Sequence, residues 1–188
     1  MKSTIWALGL AVAALFSHSA TVLSDERPVL AGRVVKVIDG DTIDVQLQSG
    51  PIRIRFHGVD APEKAQDHGK EATAALSRWV MGRDVQIEPF EQDRYDRLVG
   101  IVYVGELNVN SELVRDGHAW AMRRYMRKKD VELCRFEAEA RLHRRGLWAS
   151  LEAIPPWNYR RRKGSGEQAH RSPETTGSCI AAIGKPYR

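Results

Sequence analysis

Residues 37–63 decide the fold, and they contain three short segments: V-I-D-G-D-T (37–42), I-R-I-R-F (52–56) and V-D-A-P-E (59–63). Taken singly, each has a purely structural explanation, because Asp-Gly between apolar runs predicts a hairpin turn and Asp-Ala-Pro-Glu can end a strand before a helix. Together they bring Asp41, Asp60 and Glu63 close in sequence to Arg55, which lies on an alternating strand. Carboxylates on turns beside an arginine predict a divalent-cation site that faces a phosphate.

The flanking sequence extends this stretch into a barrel. Alternating and β-branched segments predict strands at 33–38, 42–47, 52–56, 84–90 and 98–104. Helical spacing of apolar residues predicts helices at 69–81, 110–116 and 130–145, the last with Asp130 as its N-cap. Five short strands with a helix after the third match the five-stranded Greek-key barrel of the OB class, a mainly β fold of the α+β type with about three helices.

The two ends of the chain differ from this central domain. Residues 1–20 contain, in order, the basic residue Lys2, an apolar run and small residues, which is a pattern typical of a signal peptide. The apolar run is short for a bilayer core of about 30 Å, so we expect export to the periplasm or medium, with an uncleaved N-terminal anchor as the alternative. Residues 21–152 form the predicted domain. Residues 153–188 are rich in Arg, Gly, Ser and Pro and predict an extended, partly disordered tail.

Composition sets broad limits on the kind of protein. The chain has 188 residues, 43% of them hydrophobic, and a formal net charge of +5, which excludes a wholly disordered chain and suits one domain with tails. The basic residues concentrate in the tail and in clusters around Arg123 and at 160–163, which we interpret as solvated faces that favour a polyanion without forming specific sites.

Two cysteines, Cys134 and Cys179, are present without a CxxC motif, so a zinc site is not expected. In an exported protein we expect them to form a disulfide that ties the tail to the domain. Two unpaired thiols are the alternative.

Several motifs in a fixed order resemble the staphylococcal nuclease (thermonuclease) family. The resemblance covers roughly residues 33–148. Besides the first segment and R-x4-D-A-P-E (55–63), it rests on D-R-Y-D-R-L-V-G (93–100), N-x-E-L-V-R-D-G-H-A (110–119) and A-E-A-R-x4-G-L-W (138–148).

The resemblance implies a role for individual residues. Asp41 and Asp60 match the carboxylates that ligate Ca²⁺, and Ala61 matches the position that ligates it through the main-chain carbonyl. Glu63 matches the general base or water-orienting glutamate. Arg55 and Arg97 match the two phosphate-binding arginines. Asp39 and Thr42 match two positions near the metal, and Tyr95 and Tyr125 match two aromatic residues of the nucleotide pocket.

Three positions depart from the family pattern. Ala61 replaces a threonine of the best-known members, which keeps a carbonyl ligand but loses a hydroxyl. Asp96 replaces the glycine that usually precedes the second arginine, and Arg123 stands where an aromatic pocket residue is expected. These departures bear on substrate affinity and base stacking.

The function implied is an exported Ca²⁺-dependent phosphodiesterase that cuts DNA and RNA endonucleolytically, with little sequence specificity, and leaves 3′-phosphate ends. We expect it to act as a monomer on single-stranded or locally melted substrate, without stable membrane association once the signal is cleaved. One alternative is a non-catalytic OB module that binds nucleic acid or protein. Another is an envelope-attached structural protein whose N-terminal helix is retained.

Overall fold

A computed structural model describes residues 29–165 and 176–185. The predicted signal peptide, residues 1–20, lies outside the described residues. Among the residues that the structure describes, no helix combines the length and the apolar character needed to cross a membrane.

Five strands form a closed barrel, as predicted. The strands are β1 (Leu30–Asp39), β2 (Thr42–Leu47), β3 (Gly50–Phe56), β5 (Asp84–Gln92) and β6 (Leu98–Val104). They pair in the order β3-β2-β1-β5-β6, all antiparallel, and a parallel pairing of β3 with β6 closes the barrel. Three two-residue strands complete the β structure: β4 (Val59–Asp60), β7 (Leu107–Asn108) and β8 (Trp120–Ala121).

The barrel closes because alternate side chains of its strands are apolar and point inward. Ile43 of β2 lies opposite Ile54 of β3, and both are fully buried. A third strand contributes Ile87, which is also fully buried. This interior fixes the register of the hairpin, since a shift by one residue would turn the apolar side chains outward.

Three helices cover the barrel. Helix α1 (Gly69–Val80) buries the apolar stripe predicted for it, and α2 (Val109–Arg115) begins at Asn108, whose side chain accepts a hydrogen bond from the Ser111 amide. Helix α3 (Glu132–Leu142) is shorter than predicted. Asp130 is not its N-cap, because it ends the preceding 3₁₀ turn, Lys128–Asp130, where its carboxylate accepts hydrogen bonds from Arg127.

The tail differs from its prediction. Instead of an extended chain, the described residues form α4 (Pro156–Ser165) and α5 (Thr176–Ala181). The cause is an apolar anchor that the tail's composition hides: Trp157 is buried and packs edge-on against Trp120, which also packs against Trp148. A disulfide between Cys134 of α3 and Cys179 of α5 attaches the second helix.

Arg123 does not lie on a solvated face. It is only 1% exposed, it donates to the carbonyl of Ala121 (3.1 Å) and its Nη1 lies 3.5 Å from the Glu137 carboxylate. Glu137, equally buried, also accepts the Ala121 amide (2.8 Å) and two hydrogen bonds from Arg141. The pair is tolerated in the interior because each charged group has a partner of opposite charge.

The disulfide should contribute measurably to the free energy of unfolding. Replacing both Cys134 and Cys179 by serine should lower the free energy of unfolding by about 2–4 kcal/mol, because the unfolded chain then loses a cross-link. Urea denaturation measures the difference. A reducing agent should destabilise the wild type and leave the double variant unchanged. Equal denaturation midpoints for the two proteins in the absence of reductant would contradict a structural role of the disulfide.

Candidate active site

The predicted acids and arginine converge at one end of the barrel. Strand β1 ends at Asp39 and the β1–β2 turn carries Asp41, while β3 ends just after Arg55 and β4 carries Asp60. Gly40 permits this convergence, because a Cβ there would lie 2.6 Å from the Cβ of Ala61 and 2.9 Å from that of Ala72. A larger residue would push the turn away from the loop that carries Ala61.

Arg55 is the centre of the cluster. Its Nη2 donates to Oδ1 of Asp60 (2.8 Å), and its Nη1 lies 2.6 Å from Oδ1 of Asp41. The Nη1 contact is an ion pair, so the guanidinium group lies between the two carboxylates. Arg55 also lines the cleft, where its planar group suits an oxygen of a bound phosphate.

Neighbouring groups orient the Asp41 carboxylate. The amide of Ala61 donates to its Oδ2 (2.6 Å), and the Thr42 hydroxyl donates to its Oδ1 (3.1 Å). The Asp41 amide in turn donates to Oδ1 of Asp39 (3.1 Å). Asp39 and Thr42 therefore act on the site through Asp41.

Burial raises the pKa of both aspartates in spite of the arginines beside them. For Asp41 it raises the pKa to about 6, while the Arg55 guanidinium opposes that shift and Asp39 adds to it. Burial also raises the pKa of Asp60, against the opposing effects of Arg55 and Arg160. An additional cation would favour the ionised form of both carboxylates.

Glu63 lies in the loop that follows β4, where it meets Arg160 of α4. Nη1 of Arg160 donates to Oε1 of Glu63 (2.7 Å), and its Nη2 donates to Oδ2 of Asp60 (2.7 Å). The interpretation of the basic run at 160–163 as a solvated face is wrong for Arg160, which pairs with Asp60 and Glu63. The one available signal was Trp157, since a residue three positions later lies on the same helix face as this apolar anchor.

The remaining predicted residues line the same cleft, which has a volume of about 730 Å³. Arg97 is held by Asp93, to which its Nε donates (2.8 Å). Tyr95 and Tyr125 lie on the rim with half or more of their surface exposed. Asp96 has a φ of 59°, which explains why glycine is usual there and why aspartate, one of the few side chains that tolerate this conformation, can replace it.

The donor set suits a hard divalent cation. Four carboxylates (Asp39, Asp41, Asp60 and Glu63) surround two guanidinium groups (Arg55 and Arg160), so the cluster has two unbalanced negative charges. In the described part of the chain, no three acidic, histidine or cysteine side chains form a ready metal cage. The reason is visible in the geometry: the two guanidinium groups stand between the carboxylates. Carboxylate oxygens with a nearby carbonyl are the ligands that Ca²⁺ prefers.

Fold and site together define an OB-type barrel with a cleft that is lined by carboxylates and arginines. Residues 53–150 match the family model described as "Staphylococcal nuclease homologue", and the chain belongs to this family. It is 42% identical over 170 residues to "Protein ParB" of Escherichia coli, covering 86% of this chain and 95% of that protein. It is 38% identical over 171 residues to "Micrococcal nuclease" of Shigella flexneri, covering 86% and 96%. An "Uncharacterized endonuclease" of E. coli O157:H7 is 44% identical over 150 residues, covering 79% and 95%.

The raised pKa of Asp41 predicts a pH-dependent stability of the metal-free protein. Because its pKa is about 6 in the folded state and near 3.8 when unfolded, ionisation of Asp41 destabilises the fold as the pH rises through this window. In chelator, Asp41→Asn should therefore gain on the order of 1–3 kcal/mol relative to wild type between about pH 4 and about pH 7.5.

Urea denaturation at both pH values measures this gain. If the difference in unfolding free energy between the two proteins does not change with pH, then the pKa of Asp41 is not raised in the folded state.

Proposed function

We propose that the chain, a nuclease of the staphylococcal nuclease family, is a Ca²⁺-dependent phosphodiesterase that cuts DNA and RNA endonucleolytically and leaves 3′-phosphate ends. The observation that carries this proposal is the buried Asp41–Arg55–Asp60 cluster, which lines one cleft together with Glu63 and Arg97. A non-catalytic OB module would not need this arrangement, because phosphate binding alone is satisfied by exposed basic residues.

Asp41, Asp60 and the carbonyl of Ala61 would hold the cation. A bound Ca²⁺ supplies Lewis-acid stabilisation to a phosphate oxygen. The chain's own contribution is to hold two carboxylates in a fixed orientation at a buried position. The amide of Ala61 and the hydroxyl of Thr42 do this for Asp41.

Two arginines would bind the scissile phosphate. Arg55 is fixed by Asp41 and Asp60, so its guanidinium group is already in place when the substrate arrives. Arg97, which lines the same cleft, is fixed by Asp93. A guanidinium group that is held in place stabilises the charge that develops on phosphate oxygens without having to reorganise.

Glu63 would take the proton of the attacking water. Its side chain is 40% exposed, so water reaches it, while Oε1 is held by Arg160. As the proton leaves the water for the carboxylate, the oxygen attacks phosphorus and the bond from phosphorus to the 5′ oxygen breaks. The 5′ oxygen takes up a proton from solvent, and the phosphate stays on the 3′ end. A positioned carboxylate base contributes about 10²–10⁴-fold to such a step.

The rim of the cleft fits a single strand read without sequence preference. The exposed rings of Tyr95 and Tyr125 can stack on bases of any identity. Phosphate contacts place the strand but carry no sequence information.

Export to the periplasm or medium is part of the proposal. The N-terminal segment is typical of a signal peptide, and a disulfide between Cys134 and Cys179 is stable in an oxidising compartment. Retention by an uncleaved N-terminal anchor is the alternative, and fractionation of expressing cells would decide between them. We propose that the mature chain acts as a monomer.

Cleavage of single-stranded DNA tests the catalytic assignment. Arg55→Gln and Glu63→Gln should each lower kcat by at least about 100-fold in Ca²⁺, because they remove a phosphate ligand and the base. Arg53→Gln is the matched control: Arg53 is on the same strand but pairs with Asp44 (2.7 Å), away from the cleft. Excess chelator should abolish the wild-type activity, and 3′-end analysis of the products tests the direction of cleavage. Unchanged cleavage by either variant would rule out the assigned role.

The two tyrosines should affect substrate affinity rather than chemistry. Tyr95→Ala and Tyr125→Ala should each raise KM by about 5- to 100-fold with kcat nearly constant, as expected for losing one stacked base. The Phe variants keep the ring and should resemble wild type. Initial-rate kinetics on a short oligonucleotide would measure both constants, and a fall in kcat alone would contradict stacking.

A further inference from the structure

The segment from Ile154 to α4 clamps the loop that carries Glu63. The Gln66 side chain accepts the amide of Glu63 (3.2 Å) and donates to the carbonyl of Ile154. The Tyr159 hydroxyl donates to the carbonyl of Ala65 (3.2 Å). Together with Arg160, these contacts join the loop to α4 and to the residues just before it at three places.

Arg160 provides the contact nearest the reaction centre. Its Nη1 lies 2.7 Å from Oε1 of Glu63 and 3.3 Å from Oδ1 of Asp60, and its Nη2 lies 2.7 Å from Oδ2 of Asp60. Asp60 is fully buried and fixed, while Glu63 is substantially exposed. A long exposed carboxylate samples several rotamers unless a partner restricts it. The planar guanidinium group therefore locks Glu63 to the immobile Asp60.

The helix that carries Arg160 is itself anchored. Trp157 and Asn158 are buried, and Trp157 packs on Trp120 of β8. Since β8 pairs with β4, opposite Asp60, the anchor and the site rest on the same short sheet. Helix α4 lies beyond residues 53–150, the part that matches the family model.

We propose that Arg160 is a positioning residue of the active site, which holds the Glu63 carboxylate where it can receive the proton of the attacking water. This makes α4 a part of the nuclease site. The inference rests on the function proposed above. Arg160 acts through Glu63 and not on the phosphate, because its donors in the cleft are directed at Asp60 and Glu63.

A double-variant cycle tests this role. Arg160→Gln should lower kcat by about 10- to 100-fold, the range expected when a base is displaced by an ångström or so, with KM changed less than about threefold. In the Glu63→Gln background the same change should cost less than about twofold, since residues that act as a unit are not additive. Arg160→Lys keeps the charge without the fork and should recover part of the loss.

The control and a second readout separate positioning from general destabilisation. Arg161→Gln changes the next residue of α4, which donates to Asn158 (2.6 Å), and should retain wild-type kcat. Amide hydrogen exchange should become faster across residues 62–68 in Arg160→Gln and remain slow in Arg161→Gln. If Arg160→Gln melts below the assay temperature, Arg160→Lys takes its place, and its smaller loss must also vanish in the Glu63→Gln background.

The outcomes are distinct. A wild-type chain that binds DNA but never cuts it overturns the proposed function. A cutting wild type whose Arg160→Gln variant behaves like Arg161→Gln overturns the positioning role alone. A loss that persists in full without Glu63 means that Arg160 contacts the substrate directly, which also overturns it.

Discussion

The contact between the buried carboxylate of Asp60 and two guanidinium groups is the constraint on which the site depends. Asp60 has no exposed surface, and Arg55 and Arg160 reach it from different elements of the fold. A buried charge is tolerated only when partners are held against it. Barrel strand β3 and helix α4 must therefore both be in place before the site can exist.

The helical layer supports this contact from behind. Asp60 of β4 lies opposite Trp120 of β8, and the next residue, Ala121, donates its amide to the buried Glu137 of α3. Glu137 also faces the buried Arg123. The two buried ion clusters thus share one two-stranded sheet, so the helices hold the site as well as cover the barrel.

Local sequence patterns predicted the barrel and the meeting of its acidic and basic residues at one end. The bounds of β2 and β6 follow directly from alternation and turn residues, and Asp41, Arg55 and Asp60 come together because their turns are consecutive. The failures involve long-range contacts. Arg160 lies 100 residues from Asp60, and its position depends on how Trp157 packs. Aspartate is a residue type that often caps helices, but the Asp130 carboxylate is hydrogen-bonded to Arg127 and His57 instead. No local pattern reveals these alternative partners.

We propose that the buried aspartates form a site for one divalent cation. Titration calorimetry of Ca²⁺ into the chelator-treated chain near pH 6 tests this most directly. We predict one ion per chain, bound with partial release of a proton because the pKa of Asp41 is raised to about 6 without it, and loss of binding in Asp41→Asn. Absence of binding in a chain that still cuts DNA in chelator would contradict the account.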